Sequence, residues 1–242
     1  LTNIYGQDYT RGEFVIDWTD DASDEEDSAY SLAIQLACEH SRFNIDRIDQ
    51  NEERVGGLCN FWRAIHRADD DDVCVLMGGD DWLKPGALAR VAKAYEDPEC
   101  WATYGEFENT NDRITNFWEQ WDGVETRPPQ PSFMWCPLTV KAWLAKKVLE
   151  EDLKLAGSFF MSSGDGALNT PIVEMAGTEH LRWIPEKWYM RRIHDGNDGN
   201  VDPNYQTYTA MRAYAKPRYS RLKSRDDVPV RTEHFLPYGL VL

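Results

Sequence analysis

Strand-like and helix-like segments alternate along the first part of the chain, and this alternation constrains the fold more than any other feature. Helix-like segments have apolar residues on one face, as at Leu58, Phe61 and Ile65. The strand-like segments lie at residues 13–16, 43–48, 73–77 and 101–104. Strands that alternate with helices form parallel sheets covered by helices. We therefore predict an α/β fold, with a single Rossmann-like domain and a mostly parallel central sheet flanked by helices.

The alternation stops after residue 104. Segment 105–137 is rich in aromatic residues and proline, which is typical of a long surface excursion. Further helices are predicted over 139–152, 165–176 and near 207–215, and a strand over 181–184. Pro171 lies inside the second of these helices, so we expect a kink there or a helix start near Thr170. Residues 199–242 are predicted to form a mostly irregular C-terminal extension.

The chain is strongly acidic, with 42 Asp and Glu against 26 Lys and Arg and a formal net charge of −16. A surface of this charge repels phosphate backbones, which argues against a general nucleic-acid-binding protein. An anionic substrate would have to be held locally, by a metal ion or a few placed cations. Some of the acidic residues are concentrated in two runs, 20–27 and 69–72, and such runs are usually solvated loops.

The cysteines indicate a reducing environment. Their number is odd and no CxxC pair occurs, so we interpret them as reduced, mostly buried apolar residues. They are Cys38, Cys59, Cys74, Cys100 and Cys136. The sequence predicts no signal peptide, and its longest apolar runs are too short for a transmembrane helix. We expect a cytoplasmic protein, either free or peripheral to a membrane.

Two pairs of adjacent carboxylates follow predicted strands. Asp20 and Asp21 come after the first strand, and Asp80 and Asp81 come after the apolar run 73–77. Ligands of open parallel α/β sheets bind beyond the carboxyl ends of the strands. Neighbouring like charges need compensation, which a divalent cation supplies through carboxylate oxygens. We predict a cation-dependent ligand site here, and the alternative is a solvated turn in which an acid caps the next helix.

Seven stretches resemble motifs of one enzyme family and occur in the same order. They are residues 1–9, 15–24, 50–60, 77–83, 104–105, 163–165 and 184–194. The second resembles "VDDGSTD", the fourth resembles "LDGDDWL" with its DxD motif, and the last resembles "IP…YYRxH". Together they resemble family 2 glycosyltransferases of the glycosyltransferase A fold, and the resemblance extends over roughly residues 1–198. The resemblance implies a nucleotide-sugar-binding half at 1–105 and an acceptor-binding half at 106–198.

Three departures separate the chain from the family pattern. The family's first strand and its "PTYN" loop have no counterpart in this sequence. Gly78 stands where the first Asp of the DxD motif usually stands, and Gly164 replaces the family's Glu beside Asp165. The "QxxRW" signature of processive synthases is also absent, which argues against a polysaccharide synthase.

The resemblance implies an inverting, metal-dependent glycosyltransferase. Its donor would be a nucleoside diphosphate sugar, with a UDP-sugar favoured, and its acceptor a hydroxyl group of a glycan or another molecule. Asp20 or Asp21 would accept a hydrogen bond from the base, and Arg54 and Asn60 would make further donor contacts. The sequence predicts neither the acceptor nor an oligomeric state.

The resemblance also implies roles for four residues nearer the reacting groups. Asp80 would bind Mn²⁺ or Mg²⁺ at the diphosphate, with Asp81 beside it near the sugar. His194 would complete the metal shell or contact the phosphate, and the alternative is a loop histidine with local hydrogen bonds. Asp165 would be the general base, and the alternative is a helix cap.

Two other functions stay open. A nucleotidyltransferase can use a similar sheet and acidic metal site, although it would have a Gly-rich, basic phosphate loop that this sequence does not show. A catalytically inactive binding module could keep the same fold. Gly78 in place of an acid favours this second alternative.

Overall fold

The computed structural model describes residues 4, 7, 14–24, 30–39, 44–111 and 138–232. The first half keeps the predicted alternation of strands and helices. Its elements are β1 (Val15–Asp20), α1 (Tyr30–Glu39), β2 (Asn44–Gln50), α2 (Gly57–Arg67), β3 (Val73–Val75), β4 (Trp82–Leu83), α3 (Ala87–Ala94) and β5 (Ala102–Asn109). In α2 the predicted apolar face is confirmed, because Leu58 and Ile65 are buried and Phe61 is half-buried.

The second half is less regular. Its elements are β6 (Thr139–Lys141), α4 (Ala142–Ala145), a 3-10 helix (Glu150–Leu153), β7 (Lys154–Leu155), β8 (Ser158–Phe159), α5 (Gly164–His180), β9 (Leu181–Arg191), α6 (Asp198–Val201), α7 (Pro203–Tyr214), β10 (Arg218–Tyr219) and β11 (Arg231–Thr232). The long helix predicted over 139–152 is therefore wrong. The β6 backbone pairs with β3 and β5, and that tertiary pairing overrides the local helical pattern.

The prediction of a mostly parallel central sheet is also wrong. The main sheet has five strands in the order β3-β6-β5-β9-β4. Only β5 and β9 pair in parallel, and the other three pairings are antiparallel. The parallel pair β1–β2 forms a separate two-stranded sheet among the described strands. The sequence pattern misses this because β6 and β9, which provide the antiparallel pairings, lie in the irregular second half.

The apolar run 73–77 does not form a strand buried on both faces. Strand β3 ends at Val75 and is an edge strand, since β6 is its only hydrogen-bonded neighbour among the described strands. All three of its residues are half-buried. Residues 76 and 77 have no regular secondary structure, and the Gly78–Asp81 loop follows them beyond the strand end.

Strand β9 is much longer than predicted, and its length positions the candidate site. It runs from Leu181 to Arg191, well past the predicted end at residue 184. Gly105 allows β5 and β9 to approach closely, because a Cβ atom there would lie 2.7 Å from the carbonyl oxygen of Ile184. Further along, Leu83 of β4 pairs with Tyr189 of β9. The end of β9 therefore lies beside the loop that precedes β4.

Helix α5 begins at residue 164, so Pro171 lies within it. Its helical backbone is broken at Gly177, which has φ 58° and ψ −177°, and the helix resumes to His180. The helix therefore starts before Thr170, and its break lies six residues beyond Pro171. Most of α5 after its first turn is buried in the larger of two hydrophobic clusters, with β5, β6 and α4. The smaller cluster joins α3, β4 and β9.

The C-terminal extension is packed onto the body of the protein. Helix α7 confirms the predicted helix near 207–215 but begins earlier, at Pro203, where Asp202 accepts a hydrogen bond from the backbone N–H of Tyr205 at 2.8 Å. Beyond it, the Tyr219 hydroxyl donates to Asp152 at 2.6 Å. Arg225 pairs with the predicted solvated run 69–72 through Asp70 and Asp71. That acidic run therefore helps to hold the extension in place.

Four of the five cysteines lie in the described part of the chain and are free thiols. Cys59 and Cys100 are buried, Cys74 is half-buried and Cys38 is exposed. Cys136 lies outside the described residues, as do residues 112–137 of the predicted surface excursion. Among the described helices, none has the length and apolar composition needed to cross a membrane.

Candidate functional site

Asp80 and His194 meet beyond the ends of β3 and β9. Asp80 lies in the turn that joins β3 to β4, and His194 lies three residues after β9. His194 Nε2 is 2.8 Å from Asp80 Oδ2. The side chains are 37% and 38% exposed, so a solute can reach both. The structure therefore brings together the two residues predicted to hold a metal ion.

His194 is fixed by the turn that follows it. Its backbone N–H donates to Asn197 Oδ1 at 2.8 Å, and Asn200 Nδ2 donates to its carbonyl oxygen at 2.7 Å. The backbone N–H of Gly196 donates to His194 Nδ1 at 3.2 Å. This contact assigns the proton of the neutral ring to Nε2, which makes Nε2 the donor to Asp80. The ring is thus held in place before any ligand binds.

Asp81 has different partners from Asp80. Its Oδ2 accepts a hydrogen bond from the Tyr189 hydroxyl at 2.6 Å, and its Oδ1 accepts one from the backbone N–H of Arg192 at 2.8 Å. Burial raises the pKa of Asp81 above its ordinary value and the Asp80 charge adds to this, although the two hydrogen bonds act against it. The two adjacent carboxylates therefore have different contacts. Asp80 contacts His194, and Asp81 links the loop to the end of β9.

Gly78 lies beneath both carboxylates. A Cβ atom at this position would be 3.0 Å from Asp80 Oδ1 and 3.2 Å from Asp81 Oδ2. The two acids thus fold back over the glycine and occupy part of the space that a side chain there would need. This is a physical reason why the position where the resemblance leads us to expect an acid carries none.

Asp80 and His194 suit a divalent cation as a pair of ligands. Two adjacent ligands of an octahedral ion lie about 3.0 Å apart when each is about 2.1 Å from the ion, and the observed 2.8 Å is close to this. An ion there would replace the shared proton. No group of three or more His, Cys, Asp or Glu side chains in the described ranges could hold a metal ion. The other ligands would be water and oxygens of a bound ligand, as is usual for Mg²⁺.

Asp21, the residue after β1, organises a second group of polar residues. Its Oδ1 accepts hydrogen bonds from Asn51 Nδ2 at 2.8 Å and the backbone N–H of Val55 at 3.0 Å, and its Oδ2 accepts one from the backbone N–H of Gly56 at 2.8 Å. Burial alone would raise the pKa of Asp21, but these donors and Asn60 outweigh it and lower the pKa below its ordinary value. A charged Asp21 therefore holds the loop between β2 and α2.

The other residues predicted to contact a sugar-nucleotide donor lie on or next to this loop. Asn60 Oδ1 accepts a hydrogen bond from Asn51 Nδ2 at 3.0 Å. Asp20 is 4% exposed and accepts hydrogen bonds from the backbone N–H of Ser23 at 3.0 Å and from Gln50 Nε2 at 3.3 Å. Arg54 is exposed on the loop, and its side chain has no hydrogen bond or ion pair with the described residues. Hydrogen bonds therefore connect Asp21 with Asn60 through Asn51, whereas the Arg54 side chain takes no part in this network.

Asn51 is the member of this network that sequence reasoning missed. It donates to both Asp21 and Asn60 and accepts a hydrogen bond from Arg63 Nη1 at 3.2 Å. The signal that could have found it is its place near the start of residues 50–60, the third of the seven stretches that resemble family motifs.

Asp165 lies in the first turn of α5 and is half-buried. Its Oδ1 accepts a hydrogen bond from the backbone N–H of Gly166 at 2.8 Å. The N-cap residue is Ser163, which has φ 57° and donates its hydroxyl to the carbonyl oxygen of Gln206 in α7 at 3.1 Å, so it does not cap the helix. Asp165 is therefore one residue inside the helix and does not occupy the cap position.

The start of α5 packs against the loop and helix that Asp21 holds. A Cβ atom on Gly164 would lie 2.7 Å from Leu58 Cβ, so this contact leaves no room for the Glu expected from the resemblance. A Cβ atom on Gly56 would lie 2.9 Å from Met161 Sδ, just before α5. The segment that carries Asp165 therefore adjoins the Asp21 network.

The fold is similar to that of solved structures of two other proteins. S. aureus TarS 1–349 in complex with UDP-GlcNAc is 16% identical, with a TM-score of 0.65, and the match covers 88% of this chain and 60% of that chain. The mannosyltransferase PcManGT from Pyrobaculum calidifontis, in complex with GDP-Man and Mn²⁺, is 20% identical, with a TM-score of 0.56 and coverage of 81% and 52%. No protein-family model and no curated protein sequence matches the chain.

At these identities the likeness establishes the α/β fold of the chain. The chain spans just over half of the length of each of these two structures, 60% of one and 52% of the other.

Proposed function

We propose that the protein is an inverting, metal-dependent glycosyltransferase. It transfers a sugar from a nucleoside diphosphate sugar to a hydroxyl group of a glycan or another acceptor. The observation that carries the proposal is the Asp80–His194 pair, 2.8 Å apart beyond the ends of two strands. It stands in a fold similar to that of proteins solved with UDP-GlcNAc and with GDP-Man and Mn²⁺.

Asp80 and His194 would hold Mn²⁺ or Mg²⁺ through a carboxylate oxygen and the Nε2 atom. When bound, the divalent cation neutralises charge on the diphosphate and acts as a Lewis acid for the leaving group. Such compensation is needed here because the protein has a net charge of −16 and repels an anionic donor. The hydrogen bonds to Asn197 and Asn200 keep His194 in place for this task.

The Asp21 network would form the nucleotide end of the donor site. Asp21 fixes the loop 51–56, and Arg54 on that loop exposes a guanidinium group that can approach the diphosphate. Asp20 or Asp21 would accept a hydrogen bond from the base. A UDP-sugar is the favoured donor, as the resemblance of the sequence to family 2 glycosyltransferases implies.

Asp165 would act as the general base. Its carboxylate would take the proton of the acceptor hydroxyl as that oxygen attacks the anomeric carbon, on the face opposite the departing diphosphate, and the product would be inverted. A carboxylate near a helix N-terminus has a lowered pKa, so the partial burial of Asp165 has to offset this for it to be a useful base.

A binding module without activity is the second candidate, and Gly78 is the observation that favours it. Calorimetric titration with UDP-GlcNAc and with GDP-mannose, with and without Mn²⁺, tests donor binding. Analysis of the released nucleotide and of the product's anomeric configuration then separates the two candidates. Binding of a donor without release of UDP or GDP in the presence of a broad acceptor mixture would favour the module. Absence of donor binding would contradict both.

A further inference from the structure

The two carboxylates of the Gly78–Asp81 loop have separate functions, and the second has a role that the proposed function does not use. We propose that Asp81 and Tyr189 form a clamp that sets the position of His194 against Asp80. Asp81 is then a positioning residue and does not contact the donor. The inference takes the purpose of the clamp from the proposed function, while its geometry stands independently.

The clamp consists of a hydroxyl, a carboxylate and two backbone N–H groups. The Tyr189 hydroxyl donates to Asp81 Oδ2 at 2.6 Å and accepts from the backbone N–H of Gly78 at 3.4 Å. Asp81 Oδ1 accepts from the backbone N–H of Arg192 at 2.8 Å. Tyr189 is 2% exposed, so its hydroxyl cannot exchange these partners for bulk water. Both oxygens of Asp81 are thus engaged by β9 and the residue after it.

The clamp joins the two chain segments that carry Asp80 and His194. Asp81 follows Asp80 directly, and Arg192 lies two residues before His194. Lys84 N donates to the carbonyl oxygen of Trp188 at 2.8 Å, which anchors β4 to β9 on the other side of Tyr189. Beyond the strand pair Trp82–Met190, the Asp81 carboxylate adds a side-chain tie between the loop of Asp80 and the residue after β9. Loss of the clamp would therefore let the two metal-site residues move apart while both remain in the protein.

The molecule contains a matched control for this clamp. Tyr219 is also buried, donates its hydroxyl to the Asp152 carboxylate at 2.6 Å, and accepts from the backbone N–H of Leu149 at 2.9 Å. Tyr189→Phe and Tyr219→Phe therefore remove the same bonds, one beside the candidate site and the other in the attachment of the C-terminal extension. A purely structural role would give both variants the same phenotype.

The test compares the two variants by urea unfolding and by calorimetric titration with UDP in the presence of Mn²⁺. Both variants should lose stability. Tyr189→Phe should also weaken UDP–Mn²⁺ binding by about tenfold, as expected when a hydrogen bond to a charged group is lost at the site. Tyr219→Phe should bind like the wild type. Equal affinities of the two variants would overturn the clamp.

Two further measurements keep the clamp separate from the proposed function and from failed folding. If the wild type does not bind UDP with Mn²⁺, the proposed function fails, and crystal structures of the two variants decide about the clamp. A His194 that leaves Asp80 in Tyr189→Phe alone would support it, and an unchanged contact would overturn it. If Tyr189→Phe does not fold, Asp81→Asn takes its place, with Asp152→Asn as its control and the same two outcomes.

Discussion

His194 Nε2 lies 2.8 Å from Asp80 Oδ2, although the two residues are 114 positions apart in the chain. The contact forms because β9 continues to Arg191 and pairs with β4. This pairing places the residues after β9 beside the loop that follows β3. An acid and an imidazole so placed suit a divalent cation, and their removal is the most direct test of the proposed metal site.

Asp80→Ala should abolish the stabilisation of the protein by UDP with Mn²⁺. A ligand at about a hundred times its Kd adds about 2.7 kcal/mol to the free energy of unfolding. In a protein of this size that raises Tm by roughly 5–10 °C. We expect this rise in the wild type and none in the variant, measured by differential scanning calorimetry. Asp226→Ala, which removes an exposed acid of the extension, should keep the full rise. A full rise in Asp80→Ala would contradict the assignment.

Asp165→Asn should separate donor binding from transfer. The amide has the size of the carboxylate but cannot accept the acceptor's proton, so turnover of UDP-GlcNAc should fall by about 10²–10⁴-fold. The Kd for UDP with Mn²⁺ should stay within a factor of about two, because Asp165 is not placed among the donor contacts. Nucleotide release and calorimetry measure the two quantities. Turnover equal to that of the wild type would remove Asp165 as the base.

Asp21→Asn should destabilise the protein in a pH-dependent way. Folding lowers the pKa of Asp21 below its ordinary 3.8, so its hydrogen bonds stabilise the protein above that pH and are lost as the pH falls through the folded pKa. At pH 7 we expect a loss of about 2–3 kcal/mol, as for a hydrogen-bonded charged group. Urea unfolding at pH 7 and at pH 3 should show the difference between wild type and variant shrinking at the lower pH. A difference independent of pH would show that Asp21 does not act through its charge.

Gly164→Ala and Gly166→Ala should have opposite effects on stability. A Cβ atom on Gly164 would lie 2.7 Å from Leu58 Cβ, so the substitution overpacks the contact of α5 with α2 and should cost about 1–3 kcal/mol. A Cβ atom on Gly166 has no neighbour within 4 Å, and alanine there should add about 0.5–1 kcal/mol because it favours the helix. Urea unfolding of both variants measures the contrast, and a stable Gly164→Ala would show that α5 can shift away from α2.

Local sequence patterns predicted the parts of the fold that depend on local chemistry. The apolar face of α2 is visible in the spacing of Leu58 and Ile65, because a helix repeats its faces at a fixed spacing whatever it packs against. The placement of Asp80 and Asp81 after an apolar strand likewise predicted acids at a strand end. The order of the seven motif-like stretches predicted the fold class, and the likeness to solved structures supports the α/β fold.

Only the tertiary structure decided the strand partners and the separate roles of adjacent residues. The segment 139–141 has no local signal that distinguishes a strand from a helix start, because its pairing with β3 and β5 involves residues 36 or more positions away. Asp80 and Asp81 are chemically identical in the sequence. One became a candidate ligand and the other a clamp because their side chains leave the loop toward different parts of β9 and the turn after it. A carboxylate takes its role from the donors around it, and those donors come from distant parts of the chain.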